Sequence, residues 1–169
     1  MHLHKGETLF RQGESGQLYH LKSGLLKIVR INEDGVPFLV NIIIPDEIIP
    51  QHSLISPNPY NGTAIALVPC EVEPVSSSQW YFELEQYPAK CRDIALLLQD
   101  KLRMMQQRID QLTEVTPAQK LRKLQAWFKT YIGPAPITDV LTQEEIGQLI
   151  GLRRETVNRL LRAESTPVE

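Results

Sequence analysis

Residues 153–162, RRETVNRLLR, place four arginines and one glutamate in ten positions, a local charge of +3. At about 100° per residue, Arg154, Asn158, Arg162, Glu155 and Arg159 fall in that order within one helical arc of about 140°. Val157, Leu160 and Leu161 lie on the opposite side. The segment has one face to bury and one polar face to present. Arginine can grip guanine O6 and N7 with two parallel hydrogen bonds, and glutamate can accept from cytosine N4. A merely solvated face would more often mix lysine and glutamate at i,i+4 spacing, whereas fork-shaped arginines suit base edges. Arg154, Glu155, Asn158 and Arg159 therefore form a candidate surface for reading the major groove.

The preceding residues, LTQEEIGQLIGLR, supply what must position that face. Thr142 and Glu145 have the spacing of a capping box, and Leu141 and Ile146 can staple the first turn. The pattern predicts two short helices, at about 143–150 and 154–162, separated by GLR. Gly147 and Gly151 permit a close crossing, and Val157 and Leu161 can plug against Ile146 and Ile150. This is the spacing of a helix-turn-helix whose second helix enters DNA. Arg153, Thr142 and Gln143 complete the candidate DNA-binding set.

Further upstream, TPAQ opens another helix, with Thr116 as N-cap, Pro117 in the first turn and Gln119 completing a capping box. It is expected to stop at Gly133-Pro134. From Ala89 to Leu112 there is neither Gly nor Pro. Leu98, Leu102, Met105, Ile109 and Leu112 recur there at steps of 4, 3, 4 and 3, a heptad seam that predicts self-pairing. The N-terminal half of that helix, with Ile94, Leu97 and Leu98, can instead lie on its own barrel. Residues 1–84 read as short strands, with glycines at 6, 13, 24 and 35 and an NEDG turn at 32–35. Their spacing suggests a sandwich, barrel or jelly roll.

The bulk numbers set limits. A net charge of −2 over 169 residues is not that of a protein that coats nucleic acid indiscriminately. The distribution is uneven: 10 basic and 13 acidic side chains in residues 1–113, against 8 and 7 in 114–169. Cys70 and Cys91 form no CxxC cluster, which argues against a thiolate-held metal, an iron–sulfur centre or a disulfide framework. No apolar run approaches a membrane span, and the first residues lack a signal-peptide layout, so a cytoplasmic location is expected. There is no G-x-S-x-G, Walker loop or H-E-x-x-H. An enzymatic reading has no positive support, and no cofactor or metal is indicated.

LTQEEIGQLIGLRRETVNRLLR closely resembles the helix-turn-helix of the cyclic-AMP receptor protein (Crp/Fnr) superfamily of bacterial transcription regulators. The family's Arg-Glu-x-x-x-Arg reader falls on Arg154, Glu155 and Arg159. KGETLFRQGESGQLYHLKSGLLKI is similar to the first half of the family's cyclic-nucleotide-binding β-roll, and the heptad helix to its dimerisation helix. The resemblance implies an α+β fold: a jelly-roll-like β-roll at 1–87, a dimerisation helix at 88–113 and a helix-turn-helix domain at 114–169. It implies double-stranded DNA, a second copy of the chain and RNA polymerase as partners, with the effector open.

Three departures bear on function. Cyclic-AMP binders carry a Gly-Glu cassette, whose counterparts here are Ile49 and Pro50, and a phosphate-binding arginine where this chain has Gly62. A buried cyclic phosphate without that arginine would lack compensation, so control by cyclic AMP is not expected. His52 stands where the family's haem-containing carbon-monoxide sensor has an axial histidine, but Pro50 replaces the nearby cysteine, and a loop histidine is the expectation. The sequence also stops seven residues after Arg162, before the family's β-hairpin wing, which would leave Leu160 and Leu161 partly wet. The rival to a DNA-binding regulator is a β-roll dimer that binds a small ligand or protein without productive DNA binding.

Overall fold

The computed structural model describes residues 1–165, with the backbone alone at Ser165. Residues 166–169, the end of the chain discussed above, lie outside the described residues. Eight strands come first: β1 (His2–Leu3), β2 (Thr8–Phe10), β3 (Leu18–Ser23), β4 (Leu26–Ile31), β5 (Pro37–Ile43), β6 (Ile48–Ile49), β7 (Thr63–Ala66) and β8 (Cys70–Val75). They form two antiparallel sheets, ordered β1-β8-β3-β6 and β2-β7-β4-β5. Leu21, Val72 and Cys70 from the first sheet and Phe10, Leu26, Ile43 and Ala64 from the second share one buried cluster. That is the roll implied by the family resemblance, among the sandwich, barrel and jelly-roll folds that the strand spacing left open.

Six helices follow: α1 (Ser77–Gln86), α2 (Pro88–Thr113), α3 (Pro117–Tyr131), α4 (Ile137–Val140), α5 (Gln143–Ile150) and α6 (Arg154–Ser165). The first corrects the reading of residues 1–84 as strands alone. Ser76 caps α1 by accepting from the Gln79 N–H, and Trp80 and Leu84, one turn apart, are buried. The Trp80 indole N–H donates to the Leu54 carbonyl at 2.9 Å, so α1 closes one end of the roll. Phe82, on the same helix, is exposed.

The long helix α2 divides its side chains between neighbours. Ile94 is buried, and Leu97 and Leu98 pack beside it against Leu18, Leu54, Trp80 and Leu84. Leu102, Ile109 and Leu112 are exposed, at 59%, 57% and 40%. Met105 is half-buried on a cavity wall. Thr116 caps α3 through the Gln119 N–H. The Thr116 hydroxyl itself bonds Gln119 Oε1, 2.8 Å away, so the glutamine side chain returns to the hydroxyl rather than to the threonine backbone.

One core joins the two ends of the chain. Leu25, Leu39, Ile42 and Leu67 of the roll lie in the same buried cluster as Leu121, Leu124, Phe128, Ile146, Leu149 and Val157. The helical part is thus packed on the sheet rather than tethered beside it.

Candidate nucleic-acid interface

The local sequence builds the helix-turn-helix as its spacing predicts. Thr142 and Glu145 form the complete capping box: Thr142 Oγ1 accepts from the Glu145 N–H at 3.2 Å, and Glu145 Oε2 accepts from the Thr142 N–H at 2.8 Å. Gly151 ends α5 in the left-handed region, at φ 66°, where an L side chain is strained. A Cβ at Gly147 would sit 2.4 Å from the Leu152 carbonyl oxygen. This glycine therefore admits the backbone of the turn, rather than the helix crossing suggested by spacing alone. Val157 is fully buried in the cluster holding Ile146 and Ile150, and Leu160 and Leu161 are half-buried against it.

The opposite face of α6 is open. Arg153, Arg154, Glu155 and Arg159 are exposed, as is Thr142. Asn158 is half-buried and donates through Nδ2 to Gln143 Oε1 at 3.0 Å, which fixes α6 to the start of α5. That bond uses only the Gln143 oxygen, so its amide nitrogen takes no part in it. Of the candidate set, the structure joins Asn158 and Gln143 directly and leaves Thr142, Arg153, Arg154, Glu155 and Arg159 exposed. No described helix is long and apolar enough to cross a membrane, and the described residues hold no group of three or more His, Cys, Asp or Glu placed to bind a metal.

A cavity of about 320 Å³ lies between the roll and α2, with Arg30, Asn41, Gln51, Asn61, Lys101 and Met105 on its wall. Among the described residues, no carboxylate lines it. Gly62 is buried beneath β4: a Cβ there would lie 2.7 Å from Ile28 Cγ2 and 3.2 Å from Arg30 Cγ. Any side chain at position 62 would require Ile28 to shift. His52 Nε2 lies 3.0 Å from the Pro59 carbonyl, a contact that holds it within its own loop. Lys101 is paired with the buried Glu47. Burial pushes the Glu47 carboxyl above its ordinary pKa, and the charge and hydrogen bond of Lys101 only partly offset this.

Sequence reasoning missed the contacts that seat α5 on the roll. Lys27 of β4 meets Glu145 at 2.6 Å, and Gln148 Oε1 accepts from the Leu39 N–H of β5 at 2.8 Å. Burial opposes ionisation of Glu145, yet the hydrogen bonds from Lys27 and the Thr142 backbone, together with the Lys27 charge, win and hold its pKa below the usual value. Arg108 of α2, 6% exposed, donates to the Leu149 carbonyl at 3.2 Å, and burial lowers its pKa. The letters show only that these side chains are charged or polar, or in the case of Leu39 apolar, not that they meet.

Two family models match the chain: the cyclic nucleotide-binding domain over residues 1–87, and the crp family of bacterial regulatory proteins over residues 140–163. A CRP-like cAMP-activated global transcriptional regulator of Mycobacterium tuberculosis is 34% identical over 168 residues, covering 93% of this chain and 73% of the relative. The chain belongs to the Crp family. The cyclic AMP receptor protein of Thermus thermophilus is 26% identical, over 94% of this chain and 73% of its own. Among solved structures, FixK2 from Bradyrhizobium japonicum superposes with a TM-score of 0.83 at 18% identity, covering 98% of this chain and 83% of that one. A CRP-family transcriptional regulator from Thermus thermophilus gives 0.78 at 19% identity, over 100% and 88%. At such identities the superpositions speak for the fold, which is that of an N-terminal roll and a C-terminal helix-turn-helix. As a Crp-family protein, the chain is a DNA-binding transcription regulator. The reading as a binding module without DNA gives way to it, and the relatives are regulators rather than enzymes.

Proposed function

We propose that this Crp-family regulator works in the cytoplasm as a homodimer on a palindromic operator and is not controlled by cyclic AMP. The observation that carries the reading is the open Arg154–Glu155–Arg159 face, backed by the Asn158–Gln143 bond. Arg154 and Arg159 grip guanines and Glu155 accepts from cytosine, with a half-site like TGTGA by family resemblance. Arg153, Thr142 and the Gln143 amide nitrogen hold phosphates and fix register. Pairing runs along α2 through Leu102, Ile109 and Leu112, with Met105 and Leu98 at its roll-facing margin. This seam places two recognition helices in successive major grooves, about 34 Å apart. Against cyclic AMP stand the filled space around Gly62 and a cavity wall on which the described residues offer no carboxylate to meet the ribose. RNA polymerase is the further partner that a transcription regulator of this kind engages.

Fluorescence anisotropy on cognate and scrambled palindromes across a salt series tests the DNA reading. Affinity must fall with salt on both sequences, because phosphate contacts release counterions. Arg154→Ala and Arg159→Ala should each cost about 1–3 kcal/mol on cognate DNA and relax specificity there. Equal losses on both sequences would reduce these arginines to phosphate anchors. Calorimetric titration with cyclic AMP should give no saturable heat at micromolar ligand; tight binding would overturn the effector reading.

A further inference from the structure

Besides the Asn158–Gln143 bond from α6, three polar contacts reach α5 from the roll and α2. Lys27 of β4 holds Glu145 in its first turn, while the Leu39 N–H of β5 meets Gln148 and Arg108 of α2 bonds the Leu149 carbonyl, both in its last turn. From Glu145 to Leu149 the helix rises about 6 Å, so the grips hold it at two points rather than one. All three holders lie outside the helical domain. We propose that Lys27, Gln148 and Arg108 are positioning residues that set the half-site spacing which the dimer accepts. The inference rests on the dimeric palindrome reading above.

The physical argument turns on direction. Leu39 and Ile42 share a buried cluster with Ile146 and Leu149, but apolar contact is non-directional and tolerates sliding. Hydrogen bonds and ion pairs weaken steeply once misaligned, so they fix the orientation that the apolar contact leaves loose. Only Glu114, Val115 and Thr116 join α2 to α3, and Val115 is 91% exposed. Without the three grips, the helix-turn-helix would turn about that connection relative to the pairing helix. Burial also makes these groups expensive. Arg108 is desolvated, faces no carboxylate in an ion pair among the described residues, and leaves Nη1 without a hydrogen-bond partner there. The guanidinium lies over the Trp127 ring, 5.9 Å from its centroid, and a methionine would fill the space without the desolvation penalty, so the directional bond to Leu149 is what the arginine adds.

Spacing is the quantity such a register controls. One base pair more or less between half-sites moves the second site by about 3.4 Å and rotates it by about 35°. A rigidly seated domain cannot follow without deforming the DNA, whereas a loosened one can.

The test uses the full chain and palindromes with the half-site separation at its optimum and changed by one base pair either way. Wild type should lose about tenfold or more in affinity for a one-base-pair change. Lys27→Met, Gln148→Leu and Arg108→Met should reduce that loss to about threefold or less, while affinity for a single half-site stays within about twofold. Lys27→Arg should restore the wild-type profile. The pair Lys27→Gln with Glu145→Gln removes both charges yet keeps a capping box, and should loosen spacing even if Lys27→Met folds poorly. Retention of the tenfold discrimination by the folded variants would overturn the inference and leave the dimer reading intact. A wild type that binds a palindrome no better than one half-site would overturn both.

Discussion

Replacing Gly147 with alanine sets two opposing effects against each other within one turn. In the interior of a helix, Gly→Ala is ordinarily worth about 1 kcal/mol in favour of alanine. Here the new methyl would lie 2.4 Å from the Leu152 carbonyl oxygen, and must gain at least about 0.6 Å to reach a distance that real Cβ atoms show. That oxygen belongs to backbone, in a turn already closed by the Leu152 N–H donating to the Gly147 carbonyl at 2.9 Å. It cannot swing aside as a flexible side chain would. Overpacking of this kind costs about 1–3 kcal/mol, and a backbone clash this short belongs at the upper end. We expect a net destabilisation of about 2 kcal/mol, with the opening of the turn shifting α6 and its Val157 anchor. Urea unfolding followed by circular dichroism should show a midpoint lower by about 1 M, for a slope of about 2 kcal/mol per molar. Cognate DNA affinity should fall along with it. A midpoint unchanged or raised, with DNA affinity within twofold of wild type, would refute the reasoning.

Replacing Leu102 and Ile109 together by lysine should yield monomers by sedimentation, since like charges would meet across the pairing seam; persistent dimers would place the interface elsewhere. Because the Glu145 pKa is held below its ordinary 4.5, its contribution to stability is present above that value and is lost as pH falls through the folded-state pKa. The stability gap between wild type and Glu145→Gln should therefore close in unfolding curves as pH falls below 4.5. Glu47 runs the other way: its pKa is raised, so the stability it contributes is present at low pH and lost as pH rises through that pKa. The double change Glu47→Gln with Lys101→Met should leave thermal stability at pH 7 unchanged or higher, and a large fall would show that the pair is net favourable.

Much of this protein is local and therefore legible. The capping box, the glycine pair and the i, i+3, i+4 placement of Ile146, Ile150, Val157 and Leu161 lie within 20 residues, and they define the helix-turn-helix before any packing is known. The short strands announce themselves through glycines about ten residues apart, and α2 through its heptads and lack of breakers. The helix α1 went unread because VSSSQWYFELEQ is short and follows a run of strands; its helical state depends on Trp80 and Leu84 finding the Leu54 end of the roll. The heptad seam was legible as a stripe, but its two sides were not. Leu98 and Met105 turn toward the roll while Leu102, Ile109 and Leu112 stay exposed. Periodicity records the phase of a side chain, not what stands opposite it. The contacts that seat α5 show this most sharply. Lys27 and Glu145 are 118 residues apart, and Leu39 and Gln148 are 109 apart. Lys27, Glu145 and Gln148 are ordinary polar residues in the sequence, Leu39 takes part through its backbone N–H, and Arg108 reads as one more charge on a polar helix. What the DNA-reading face is made of follows from short-range chemistry. Where that face points follows from long-range packing, because only the folded sheet brings β4, β5 and α2 to the two ends of one eight-residue helix.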